Sequence, residues 1–287
     1  MGAGANATAA SALAELLLRP RYEVLPLEGI EDDLAAFLDK DVIVTVTGSP
    51  TRGLDATVEL SEGLARDGWT VVPHLPARQV RDRAHLLELL DRIRDAGIRR
   101  LFVPAGDASA AEGAFAGAAE LLAAMGERRG DFDHIGITGY PESHHLIPDE
   151  ETIRAMFEKA EMATEIISQI CFDAGTIADW IANVRARGTH LPIWIGLPGI
   201  VDYSKLFRIS VKIGLGESAR FLGHQHGWLS RLLTRRFNPD ELVRELGRTA
   251  ADPDARVAGF HIYTFNEIER TERWRRQTLD QLATPQR

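Results

Sequence analysis

The chain has a single cysteine, Cys171, among its 287 residues. A lone thiol excludes an intrachain disulfide and any zinc site built on several cysteines. Positive charge is also short: 33 Lys and Arg stand against 42 Asp and Glu, a formal net charge of −9. That deficit argues against a general nucleic-acid binder, which needs a basic field to meet phosphate. No apolar run is long enough to cross a bilayer. The N-terminal MGAGANATAASALAELLLRP lacks a basic leader and carries Glu15, so it does not read as a secretory signal. A frayed tail running into a short helix is the expectation there, in a soluble, cytoplasmic protein. Nucleotide fingerprints are missing as well, since no GxGxxG follows the first predicted strand. GLGESA at 214–219 has no strand before it and reads at most as a helix N-terminus that could take an anion. Histidines at metal-ligand spacing are scarce. His74 and His144 belong to separate predicted strands, the His224–His226 pair sits in an irregular basic segment, and Pro148 parts His145 from Asp149. No metal is implied.

What the chain does have is hydrophobic residues, 45% of the total, gathered in eight short runs. The predicted strands are Tyr22–Leu27, Val42–Thr47, Trp69–His74, Arg99–Asp107, a run HIGIT beginning at His134, Glu165–Asp173, Leu191–Gly199 and Ala258–Phe265. Between them lie segments of helical period: Gly29–Phe37, Leu54–Arg66, Arg81–Ala96, Ala110–Met125, Glu150–Ala163, Gly175–Arg187 and Asp240–Ala250, with a last helix from Asn266 to about Leu282. Two more helical segments, Tyr203–Ile213 and the one opening at GLGESARFL, follow the seventh strand, and 224–239 reads as irregular. Eight buried strands alternating with helices predict an α/β fold, a (β/α)8 TIM barrel. It is expected to fill residues 1–287 as a single domain, with 1–20 as an extension and extra helices after strand seven. An open, doubly wound sheet is the alternative.

A barrel of this kind keeps its chemistry at the carboxyl ends of the strands. The polar residues there are Glu23, Thr47, His74, Asp107, Tyr140, Glu142, His144, Gln169 and Tyr263. The densest stretch is FDHIGITGYPESHHLIP, 132–148, where a buried run empties into a phenol, a carboxylate and two imidazoles. Glu23 stands among apolar neighbours, either on a solvated face or buried. If buried, desolvation would raise its pKa and leave it protonated, as a general acid requires. Gln169 is an amide inside an apolar run, so it must find partners or cost a few kcal/mol.

These residues carry a family resemblance. YEVLPL, VTVTGSPTRG, VVPHL, PAGD, ITGYPESH, ISQICFD and FHIYTFN resemble strands one to six and eight of the methylenetetrahydrofolate reductases, in their small bacterial form that is a barrel alone. The match runs from about Tyr22 to Trp274, and GYPESH with SQICFD is its specific part. SQICFD, LPGIVD, RISVKIGLGESARFL and HIYTFNEIERTERW further resemble a branch associated with folate-dependent demethylation.

The resemblance implies reduction of 5,10-methylenetetrahydrofolate to 5-methyltetrahydrofolate by NAD(P)H, with FAD as cofactor. Glu23 matches the acid that protonates N10. Asp107 matches an aspartate that stays ionised and favours the iminium cation. Gln169 and Tyr263 are the implied substrate contacts, Gln169 on the pterin edge. Thr47, His74, Gly106, Asp107, Tyr140 and His144 match positions that hold the flavin, and Lys159 a position near its phosphates. The implied partners are a folate, a nicotinamide and other copies of the chain, with no nucleic acid and no membrane. The chain departs from the family where Ala105 replaces an arginine before Gly106 and Asp107, where Glu267 replaces the arginine after Asn266, and where Gly117 or Ala118 replaces an acid. Each removes a flavin contact and leaves Glu23, Asp107 and Gln169 in place. A flavin-free hydride transfer from the nicotinamide, a tetrahydrofolate-dependent methyltransferase and a non-catalytic pterin- or flavin-binding barrel are the alternatives.

Overall fold

The computed structural model describes residues 2–48, 52–106, 113–142, 149–203, 205 and 236–283. Eight strands form one sheet: β1 (Arg21–Val24), β2 (Ile43–Val46), β3 (Thr70–Pro73), β4 (Arg100–Phe102), β5 (His134–Gly139), β6 (Glu165–Ser168), β7 (Ile193–Pro198) and β10 (Val257–Tyr263). Their spatial order is β3-β2-β1-β10-β7-β6-β5-β4, and every neighbouring pair is parallel. The two ends meet through a parallel bridge between His74 and Phe102 and a bond from Leu75 N–H to the Phe102 carbonyl, 2.8 Å. The result is a (β/α)8 barrel.

The two-residue period of a strand sorts its side chains between two cores. Tyr22, Val24, Val44, Val46, Val71, Leu101, Ile135, Ile137, Ile166 and Ile262 face the helix layer and join the large outer core. Val72, Phe102, Ile167 and Trp194 form a separate cluster inside the barrel. The interior has no room for a full set of side chains. A Cβ on Gly136 would stand 2.2 Å from Ile167 Cδ1, and one on Gly259 2.3 Å from the Trp194 ring. Gly259 is therefore required by volume, whereas a methyl at Gly136 would force the Ile167 side chain to swing aside.

The barrel floor is ionic. Arg21 donates from both terminal nitrogens to Glu165, at 2.7 and 2.8 Å, and Trp194 Nε1–H adds a third bond to that carboxylate at 3.0 Å. The guanidinium lies 3.8 Å over the Trp194 ring. Burial works to raise the Glu165 pKa, but the Arg21 bonds and charge outweigh it and hold the carboxyl below its usual range.

The helices on the barrel's outside are α2 (Ile30–Phe37), α3 (Gly53–Arg66), α4 (Arg83–Asp95), α5 (Ala118–Met125), α6 (Asp149–Ala160), α7 (Ala174–Ala186), α8 (Asp240–Glu245), α9 (Gly247–Ala251) and α10 (Ile268–Ala283). α4 and α7 begin at side-chain caps, Asp82 on His85 N–H and Asp173 on Thr176 N–H, which satisfy otherwise orphaned donors. Among the described residues no helix is long and apolar enough to cross a membrane.

Several expectations need correcting. The N-terminal stretch is a 17-residue helix, α1 (Gly2–Leu18), in place of a frayed tail. It seats Leu13 and Leu17 in the core, and Arg275 Nη1 donates to the Leu17 carbonyl at 2.9 Å. Strands one, four and six stop earlier than predicted, at Val24, Phe102 and Ser168. Pro26 and Pro104 lie just beyond two of these ends and have no N–H for a ladder. The helix predicted from Ala110 starts at Ala118. Before it, Gly113 presses on the Val80 and Arg81 carbonyls, at 2.2 and 2.4 Å from a Cβ position, and Ala114 N–H bonds Arg81 O. The predicted Asp240–Ala250 helix is two, α8 and α9. A short antiparallel pair, β8 (Val201–Asp202) with β9 (Arg236–Phe237), joins the residues just before the predicted Tyr203 helix to the stretch 224–239 that reads as irregular. The remainder of the helices predicted after strand seven lies outside the described residues.

Candidate active site

The sequence around β1 and β10 builds the centre of the mouth. Glu23 follows Tyr22, whose hydroxyl points outward and donates to Glu272 on α10 at 3.0 Å. Alternation then turns Glu23 into the barrel. Its backbone is clamped by the TFN turn after β10. Thr264 Oγ1 donates to the Glu23 carbonyl at 2.6 Å. Asn266 accepts from Leu25 N–H at 2.8 Å and donates to Leu25 O at 3.1 Å. That turn runs through two left-handed residues, Phe265 (φ 52°) and Asn266 (φ 62°), a conformation Asn tolerates better than most.

Inside the mouth the Glu23 carboxylate meets two imidazoles. His261 Nε2 is 2.9 Å from Glu23 Oε2, and His74 Nε2 is 3.7 Å from the same oxygen. The His74 ring packs edge-on against Phe102 at 4.6 Å, and the His261 ring against Tyr263 at 4.9 Å. Burial pushes His74 down to about 4, so it is neutral near pH 7. Burial works to raise the Glu23 pKa, yet the hydrogen bond from His261 and the field of the imidazoles outweigh it and hold Glu23 below its ordinary value. A neutral His74 adds no charge, so His261 is the partner that matters. Thr47 adds a weak pull only, because its Oγ1 makes no hydrogen bond of ordinary geometry among the described residues. The expectation that burial leaves Glu23 protonated is therefore corrected: burial alone would do so, but the imidazole reverses the direction.

The other sequence-predicted residues fall as follows. Tyr263 donates from its hydroxyl to Ser168 O at 3.2 Å, on the face of His261. Gln169 turns its Oε1 to Ile170 N–H at 2.9 Å. Thr47 is tied by its N–H to Val24 O at 2.9 Å. Gly106 is left-handed (φ 95°) and packs on Pro76, 3.2 Å from a Cβ position. Tyr140 and Glu142 are half-buried in the segment after β5, where Glu142 helps burial raise the Cys171 thiol far above its ordinary value. Asp107 and His144 lie outside the described residues. Lys159 is buried in the last turn of α6, at the end of that helix away from the mouth. Burial lowers its pKa to about 8, and the structure does not bring it together with Glu23 and His74. His261 was missed by the sequence reading. The signal was present, since it stands two residues before Tyr263 and so on the same face.

Thr47 Oγ1 and His74 Nε2 are buried without hydrogen-bond partners among the described residues. A hydroxyl and a neutral imidazole at adjacent strand ends, with the Gly106 backbone nearby, suit the polar edge of a planar heteroaromatic group. Among the described residues no cluster of three or more His, Cys, Asp or Glu could hold a metal ion.

The family model described as methylenetetrahydrofolate reductase matches residues 39–215, more than half of the chain. "Methylenetetrahydrofolate reductase 2" of Saccharomyces cerevisiae is 28% identical over 54% of this chain and 26% of its own length. "Methylenetetrahydrofolate reductase 1" of Schizosaccharomyces pombe is 25% identical over 62% of this chain and 30% of its own. The match thus spans about a third or less of these curated relatives. A solved structure of a Clostridium thermocellum protein, described as uncharacterized and binding two copies of 5-methyl-5,6,7,8-tetrahydrofolic acid, superposes with a TM-score of 0.59. It is 11% identical, covering 93% of this chain and 98% of that one, a likeness of fold.

Proposed function

The chain belongs to the methylenetetrahydrofolate reductase family, and from that premise we propose that it interconverts 5,10-methylenetetrahydrofolate and 5-methyltetrahydrofolate with NAD(P)H as the other substrate. The observation that carries this reading is Glu23, turned into the mouth of the barrel and hydrogen-bonded to His261. Reduction begins by opening the five-membered ring. N10 takes a proton, its bond to the methylene carbon breaks, and the N5 lone pair forms an iminium cation that accepts hydride. Glu23 gives N10 that proton. Once the proton has left, the carboxylate favours the adjacent cation electrostatically. Gln169 and Tyr263 line the same mouth and orient the pterin. Asp107 keeps the role that its motif implies, a fixed negative charge beside the iminium.

Thr47, His74, Gly106 and Tyr140 would hold a flavin's isoalloxazine edge, with Asp107 and His144 from the matching motifs. When bound, FAD supplies a two-electron relay between nicotinamide and folate. One observation favours direct hydride transfer in place of it. Glu267, which stands where the family has an arginine, is engaged by Lys205 at 3.3 Å and Arg270 at 2.7 Å, so among the described residues both cations at this corner are paired with a carboxylate instead of facing a diphosphate.

The test is NAD(P)H oxidation with methylenetetrahydrofolate, beside a visible spectrum of the purified protein. Glu23→Gln keeps the shape and removes the dissociable proton, so the rate should fall by about 10²-fold or more. A variant with the parent rate would refute Glu23 as the donor.

A further inference from the structure

The function proposed above asks Glu23 to deliver a proton, yet its surroundings favour the carboxylate. The geometry around Glu23 supplies a source. Of its two imidazole neighbours, His261 is at hydrogen-bond distance, 2.9 Å, and His74 is not, at 3.7 Å. The exposures are ordered: the Glu23 side chain is 14% exposed and that of His261 1%. The carboxyl thus stands between the mouth and the imidazole, and a proton reaches or leaves His261 Nε2 through Glu23. The far nitrogen, Nδ1, is buried without a hydrogen-bond partner among the described residues, so no second carboxylate competes for the ring.

We propose that His261 is the positioning residue that stores the proton Glu23 delivers, making the reacting acid a Glu23–His261 couple. This rests on the folate-reducing reading of the same site. In the proposed resting couple the transferable proton lies on His261 Nε2, 2.9 Å from Glu23 Oε2. On ring opening the Nε2–H bond breaks and its electron pair stays on the ring, leaving neutral imidazole with its hydrogen on Nδ1. The proton passes to a Glu23 oxygen and then to N10, whose bond to the methylene carbon breaks as the N5 iminium forms. After product leaves, Glu23 takes a proton from solvent at the mouth and returns it to Nε2. The charged or titratable groups facing His261 are Glu23 from β1, His74 from β3 and Tyr263 from its own strand. Arg21, level with His261 in the β1–β10 register, is turned to Glu165. Phe102 of β4 contributes an apolar ring at 6.4 Å.

The experiment compares the parent, His261→Gln and Glu23→Gln in methylenetetrahydrofolate reduction across pH. His261→Gln keeps a donor toward Glu23 but cannot ionise. Its kcat should fall by about 10-fold or more, with the folate KM within about twofold, and the parent's pH profile of kcat, expected to fall on the alkaline side, should be displaced. A parent-like kcat and profile in His261→Gln, with Glu23→Gln inactive, overturns the couple and leaves the reductase reading standing. A loss of rate without any change of profile also overturns it, as a structural role would give that. Parent-like rates in both variants overturn the reading itself. A second measurement needs no activity: in 15N-histidine NMR of the folded protein at one pH, the His261 Nε2 resonance should shift in Glu23→Gln, because its 2.9 Å partner is changed. An unmoved resonance overturns the proposal.

Discussion

The barrel floor offers a perturbation whose size follows from its geometry. Glu165 accepts two bonds from Arg21 and one from Trp194, and the Arg21 and Glu165 side chains are 1% and 3% exposed. Glu165→Leu removes the two oxygens that accept all three bonds and strands a guanidinium inside the barrel. Removing one partner of a buried pair costs about 3–5 kcal/mol, because the remaining charge stays desolvated. Adding Arg21→Met removes that charge and leaves only the Trp194 N–H unpaired, at about 1–3 kcal/mol. The double variant should therefore be more stable than Glu165→Leu alone, a coupling of roughly 2 kcal/mol or more. Urea denaturation followed by circular dichroism measures each corner of the cycle through its midpoint. Arg21 lies two residues before Glu23 on the same face, about 6.6 Å lower along the strand. The KM for folate should thus survive in the double variant. Strictly additive losses would refute the argument that the pair is coupled. A double variant that folds well but loses folate reduction would refute a purely structural floor.

Gly136→Ala places a methyl 2.2 Å from Ile167 Cδ1, and overpacking of this kind should cost about 1–3 kcal/mol in a urea melt; a parent-like midpoint would show that the interior is looser than described. Cys171 is fully buried with its thiol pKa raised, so a thiol reagent such as DTNB should label it only on unfolding, and rapid labelling of native protein would refute that burial. His74 is depressed from 6.5 to about 4, so the fold favours its neutral form. That preference is lost as stability when pH falls from about 6.5 toward 4, at most roughly 3 kcal/mol by linkage. Melting temperatures from pH 7 to pH 4 should fall less steeply in His74→Gln than in the parent, and identical slopes would discount this histidine.

The sequence by itself determined an α/β fold and favoured the barrel over an open doubly wound sheet. Eight apolar runs alternating with helical period leave few ways to bury every strand on both faces, and once the barrel is drawn the two-residue alternation around Tyr22 turns Glu23 inward. It also placed the polar residues at one set of strand ends, because a parallel barrel has a single carboxyl-terminal face. Element limits were less legible. Prolines beyond β1 and β4 and the close approach of Gly113 to the Arg81 carbonyl decide where hydrogen bonding stops, and the latter contact is not local. The electrostatics of the mouth were decided by tertiary structure alone. Glu23 and His261 are 238 positions apart and become hydrogen-bonded only because β1 and β10 are neighbours in the closed sheet. The apolar neighbours of Glu23 left it open between a solvated face and the interior, and the direction of its pKa was not legible at all, since that depends on which imidazole the closing sheet brings to its carboxylate.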